Sequence, residues 1–322
     1  MEQSVASLFE VYLERSDLRP ASVDIKRRAC RYFLRWFGDP PVGAVDSATA
    51  EDYRTLLGRG RSAVTVNGYL ENFRPFWVWL LRRGYITSNP FAMVRSVRVD
   101  ERPPKQTFTP GELEALMSVA DDLWRLRIAL GLMGARRGEV LASQGRDYQP
   151  DPPCPHILLG WKASGKRTLP WGCKGRRLRY IAVPERMGFQ HVIVPVRQLL
   201  ADRVAAVGPD GYVCLSDDRT QLLRHHLEQG SLTYAHMTDP AGNFARSFRL
   251  LQERAGIVQT RRFHELRAAF TTRMIDAFGL SRAADLVGHV SVNQTRQYDR
   301  KDRLSLVADA ARIAEHVYIS AG

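Results

Sequence analysis

Apolar residues recur at helical spacing through the first hundred positions. Leu8, Phe9, Tyr12 and Leu13 share one face after Ser4, a residue type suited to capping a helix. The segment SVDIKRRACRYFLRWFG follows Pro20 and stops at a glycine, and TAEDYRTLLGRG is a shorter helix stopped by its own glycines. VTVNGYLENFRPFWVWLLRRGYI is a long amphipathic helix ending at Gly84, with Phe73, Phe76, Trp77, Trp79 and Leu80 as core aromatics and aliphatics and Pro75 as a point of kinking. SNPFAMVRSVRVDERPPKQT breaks the pattern at Pro90, carries charge and is stiffened by Pro103-Pro104, so it is expected to be a linker.

A second set of elements begins at TPGELEALMSVA. Thr109 is the expected N-cap, with Pro110 at the first helical position and Glu112 closing a capping box. WRLRIALGLMGARRGEVLASQ reads as two helices broken near Gly134. Between His156 and Pro184 the period shortens, and HILLGW, RTLPWG and RYIAVP are expected to be three short strands joined by basic turns. Helices resume with VPVRQLLADRVAAV, NFARSFRLLQERAG, FHELRAAFTTRMIDAFG and SRAADLVG. A last amphipathic helix, 302–317, presents Leu304, Leu306, Val307, Ala310, Ala311, Ile313, Ala314 and Val317. The expected fold is mainly α: a helical N-terminal domain over 1–102, then an α+β domain over 103–322 with helices around a small antiparallel sheet.

Charge narrows the range of partners. The chain of 322 residues carries a net charge of +13. Residues 1–100 contribute 15 basic and 11 acidic groups, and residues 101–322 contribute 32 and 23, so both halves are basic. A basic surface spread this way favours a polyanion, though a surplus of surface arginine alone gives the same balance. The basic residues are 41 Arg and only six Lys, namely Lys26, Lys105, Lys162, Lys166, Lys174 and Lys301. Arg grips phosphate with a planar fork, whereas Lys is a point charge able to give up a proton. Apolar runs are short and interrupted by charge, and the first residues are mixed in charge, so neither a membrane span nor a signal peptide is expected. The expected location is the cytoplasm, in association with the nucleoid. Cys30, Cys154, Cys173 and Cys214 form no CxxC pair, and Cys154 with His156 is only a faint metal hint. No metal or other cofactor is expected.

Five stretches carry chemistry by their order: GARRGE at 134–139, CKGRRLR at 173–179, HELR at 264–267, LVGH at 286–289 and TRQYD at 295–299. Cleaving a phosphodiester by transesterification needs a nucleophile, charge stabilisation and an acid for the leaving group. A phenol, with an ordinary pKa of about 10, is a weak nucleophile until neighbouring positive charge favours the phenolate. Arginine forks hold the non-bridging oxygens as their charge rises in the transition state, and a Lys or His protonates the leaving oxygen. The stretch Gly160–Arg167 imitates a phosphate loop, but Arg167 stands where a Mg²⁺-binding hydroxyl is needed and TLPWG does not continue as a helix.

The order Arg, Lys, His-x-x-Arg, Gly-His, Tyr resembles the tyrosine recombinases, the family of phage integrases and Xer-type resolvases. LGLMGARRGEVLA, HELRAAFTT and LVGHVSVNQTRQYD carry the resemblance, and the long helix followed by GYITSNPF resembles the end of that family's N-terminal core-binding domain. The resemblance implies that Arg136, supported by Glu139, and Arg267 clamp the phosphate with His264 and His289, and that Tyr298 is the nucleophile. It places the catalytic lysine on a strand turn, where Lys174 is favoured over Lys162, with Lys166 third. It implies a duplex-DNA partner with a specific core site, a homotetramer on DNA, strand exchange through a Holliday junction and a C-terminal helix docked either on a neighbouring protomer or on its own domain. A type IB topoisomerase with the same chemistry, and a non-catalytic DNA-binding descendant of a recombinase, are the alternative readings.

Overall fold

The computed structural model describes residues 3–18, 20–100, 107–151, 154–160 and 178–288. The chain divides into two compact units, Met1–Pro103 and Pro104–Gly322.

The first unit is built from four helices: α1 (Val5–Glu14), α2 (Pro20–Phe37), α3 (Ser47–Gly58) and α4 (Ala63–Arg82). Ser4, Asp46 and Ser62 cap α1, α3 and α4, each side chain accepting a backbone N–H that has no partner inside the helix. An α4 of 20 residues runs on through Pro75 and ends before Gly84, whose φ of 74° suits glycine. Phe9, Phe33, Tyr53, Phe73, Phe76 and Trp77 are almost wholly buried in one aromatic core. The stretch expected to be a linker begins later than its composition suggests. Phe91 lies in this core, its ring 5.3 Å from that of Trp77. Asn67 exchanges two hydrogen bonds of 2.8 Å with the backbone of Val97. One buried aromatic and one side-chain clamp outweigh the loop-like composition, and the chain stays packed on this unit to Val97.

The second unit opens with α5 (Pro110–Val119), whose capping box is formed as the sequence indicates: Thr109 N–H donates to Glu112 at 2.8 Å, and Glu112 N–H to the Thr109 hydroxyl at 3.2 Å. Next come α6 (Asp122–Leu132) and α7 (Arg137–Ala142), separated by a turn at Gly134. Strands β1 (Tyr148–Gln149), β2 (His156–Leu159) and β3 (Arg179–Ala182) form an antiparallel sheet in that order. A separate hairpin pairs β4 (Met187–Phe189) with β5 (Val192–Val194). Helices α8 (Val196–Val207), α9 (Asp217–Glu228), α10 (Tyr234–Thr238), α11 (Phe244–Arg254) and α12 (His264–Val287) complete the described fold. Gly279, at φ 76°, interrupts α12 where the sequence changes from one helical segment to the next. In the three-strand expectation HILLGW and RYIAVP become β2 and β3 and pair directly, with Ile157 opposite Ile181; RTLPWG lies outside the described residues. The C-terminal segment 302–317 also lies outside them.

The core of this unit joins α6 to α12 and to the sheet. Gly131 of α6 sits so close to α12 that an added Cβ would stand 3.0 Å from the Leu266 and Phe263 side chains. That close approach fixes the start of α12 against the turn at Gly134.

Candidate active site

The turn between α6 and α7 gathers the site. The chain leaves α6 through Gly134 at φ 87°, and an added Cβ there would lie 2.7 Å from the Phe270 ring. A Gly134→Ala variant therefore meets both a disfavoured backbone and a clash. It is expected to lose at least about 1–3 kcal/mol of stability, read as a lowered midpoint in urea unfolding.

Arg136 is the N-cap of α7. Glu139, three residues on, accepts the Arg136 backbone N–H at 2.8 Å and its Nη1 at 2.7 Å. A guanidinium has no acceptor with which to return the favour, so the cap is one-sided and the carboxylate orients the arginine instead. The Arg136 side chain keeps 23% of its surface while that of Glu139 keeps 2%, so the arginine has an open face and its carboxylate partner does not.

Arg267 lies in the first turns of α12 and is fully buried. Its Nη1 donates to the Gly134 carbonyl, and its Nη2 donates to the Val287 carbonyl at 2.7 Å. Two of its donors thus tie the turn before Arg136 to the end of α12. His264 is the first residue of α12 and is exposed; at i and i+3 it shares a helix face with Arg267. The structure therefore brings Arg136 and Arg267 together at the Gly134 turn, with His264 one helical turn before Arg267.

Arg179, which the motif order did not single out, belongs to the same cluster. Its Nη1 is 3.4 Å from Glu139 Oε2 and its Nη2 donates to the Gly134 carbonyl at 3.3 Å. The signal was strand parity. In RYIAV, Arg179 stands on the same face as Ile181 and Val183, and all three are buried, whereas Tyr180 is exposed. Lys174, with its rivals Lys162 and Lys166, lies in the 160–178 connection between β2 and β3, and all three are outside the described residues, as are His289 and Tyr298.

Cys30 and Cys214 are poor competitors for the nucleophile's role. Cys30 and Cys214 are buried, and burial pushes each thiol up to about 12. Among the described residues no group of three or more His, Cys, Asp and Glu is placed to hold a metal, and no helix is long and apolar enough to cross a membrane.

Arginines drawn together on a carboxylate and a backbone turn, in a helical unit with a small antiparallel sheet, define an integrase-type catalytic fold. Residues 196–304 match the phage integrase family, a span that contains His264, Arg267, His289 and Tyr298. The tyrosine recombinase XerC of Listeria welshimeri is 25% identical over 274 residues, covering 83% of this chain and 82% of its own. Among solved structures, the Tn1549 transposon integrase in complex with transposon right end DNA has a TM-score of 0.68 at 18% identity, covering 97% of this chain and 100% of that one. A lambda integrase tetramer bound to a Holliday junction has a TM-score of 0.66 at 15% identity, covering 94% and 79%. Residues 196–304 thus match the phage integrase family, and over most of its length the chain is similar to tyrosine recombinases.

Proposed function

We propose that this chain cleaves and rejoins duplex DNA through a covalent bond to Tyr298. In the forward step the Tyr298 oxygen bonds to phosphorus and the bond from phosphorus to the 5′-oxygen breaks. The phenol loses its proton to solvent water, and Lys174 gives one to the departing 5′-oxygen. Arg136 and Arg267, with His264 and His289, hold the non-bridging oxygens, whose charge rises in the transition state. The 3′-phosphotyrosine keeps the energy of the broken bond, so attack by another strand's 5′-hydroxyl reseals the DNA without a nucleotide cofactor. Four protomers acting on two sites then exchange strands through a Holliday junction. The first unit grips the core site together with the catalytic unit.

The observation that carries this reading is the junction at Gly134, where Arg267 of one motif is hydrogen-bonded two residues from Arg136 of another. Residues 131 positions apart, Arg136 and Arg267, meet at one turn, as a shared phosphate requires. The arginine-rich balance supports a polyanionic partner.

The test starts from a duplex selected by the wild-type protein from a randomised library. Two direct repeats of that site are placed on one supercoiled plasmid. Excision of a circle, with a four-way junction trapped on the way, is the expected result. Relaxation of the plasmid with neither product would move the assignment to a topoisomerase.

A further inference from the structure

We infer that Arg179 is a positioning residue that aligns Arg136 for phosphate binding by acting through Glu139. The inference rests on the proposed DNA-cleaving function and adds to it a residue to which the resemblance gave no role.

Arg179 touches the separate parts of the site in turn. It faces the Glu139 carboxylate, which also holds Arg136 by two bonds. It donates to the Gly134 carbonyl, which also accepts from Arg267. Its methylene stem packs on Gly288, where an added Cβ would lie 3.2 Å from Arg179 Cδ. Gly288 ends α12 in the left-handed conformation and is the residue immediately before His289. In sequence, Arg179 follows Lys174 by five positions, at the exit of the β2–β3 connection.

Two facts argue that this guanidinium organises the site instead of meeting substrate. Its side chain is 4% exposed, against 23% for Arg136. Its terminal nitrogens face a carboxylate and a carbonyl of its own chain. A carboxylate held by a single arginine can swing with it. Held from a second side by a buried arginine, it presents Arg136 in one orientation, and catalysis depends on that preorganisation. The shared Gly134 carbonyl sets Arg267 to the same reference.

The test is a double-mutant cycle in single-turnover cleavage of the selected duplex, nicked near the cleavage point. Arg179→Met is expected to slow covalent-complex formation about 10–100-fold, with affinity for the duplex within about threefold of wild type. In an Arg136→Ala background the same change is expected to cost less than about threefold, because the residue it positions is gone. Arg179→Lys retains a buried cation beside Glu139 but cannot also reach Gly134. It is expected to keep the wild-type melting temperature within a few degrees and to cleave at an intermediate rate. Additive losses in the cycle would overturn the inference, as would wild-type cleavage by Arg179→Lys and Arg179→Met. A fall in affinity matching the fall in rate would overturn it too.

A second readout needs no cleavage. The Nε resonance of Arg136 in ¹⁵N-arginine spectra is expected to shift in Arg179→Lys, and an unmoved resonance would overturn the inference. Absence of any covalent complex with wild-type protein would instead count against the proposed function.

Discussion

Arg136→Ala is expected to lower single-turnover cleavage of the selected duplex by about 10²–10³-fold, the usual effect of removing one preorganised donor from a transition-state oxyanion. Stability should change little. The Arg136 side chain is partly exposed, and Glu139 keeps both the Arg136 backbone N–H and the facing Arg179 when the side chain is removed. The loss in urea unfolding is therefore expected to be about 1 kcal/mol, below that of a buried pair left with one uncompensated charge. Arg136→Lys keeps the charge and loses the planar fork, so it should recover only part of the rate. A variant that bound DNA and cleaved at the wild-type rate would remove Arg136 from the site.

Arg267→Ala should behave differently. This side chain is fully buried, and its two terminal nitrogens serve carbonyls at Gly134 and Val287. Gly134 retains Arg179 as a donor, but the Val287 carbonyl loses this one, and a large cavity opens beside α12. The expected cost is about 3–5 kcal/mol in urea unfolding, with cleavage below detection. Arg267→Lys has one nitrogen for two carbonyls and should recover little of either. The contrast between the two arginines is the informative result: one acts mainly on rate, the other on rate and stability together.

Local rules explain how much of the architecture was legible before folding. Thr109, Pro110 and Glu112 specify the start of α5 by side-chain chemistry within four residues, and the cap forms accordingly. Gly134 marks the break between α6 and α7 because the chain needs a positive φ there. Helix α9 escaped notice because only Thr220 and Leu223 are buried along its 12 residues, too few to make an apolar stripe. Strands β1, β4 and β5 have two or three residues each, shorter than the span over which alternation can be seen. Phe91 was read by its polar neighbours and not by its own burial.

The site followed the same division. That Arg136 and Arg267 meet at one turn agrees with the motif reading, which rests on fixed spacing. Arg179 was hidden in a basic run, where an arginine is ordinarily solvated; its parity with Ile181 and Val183 points to it, and Arg177 shares that parity. Lys162, Lys166 and Lys174 stay equivalent by position, since the β2–β3 connection contains all three. Chain spacing says which residues are close in sequence. The meeting of Gly134 with Arg267, across 133 positions, comes only from the packing of α6 on α12.

The most direct measurement mixes the selected duplex, nicked near the cleavage point, with wild-type protein or Tyr298→Phe in the absence of divalent metal. Products are separated on a denaturing gel, and any adduct is digested and mapped by mass spectrometry. The covalent role of Tyr298 requires a protein–DNA product from wild type alone, with the nucleotide on the peptide containing Tyr298. An adduct from Tyr298→Phe, or tight binding of that duplex by wild type with no adduct at all, would contradict it.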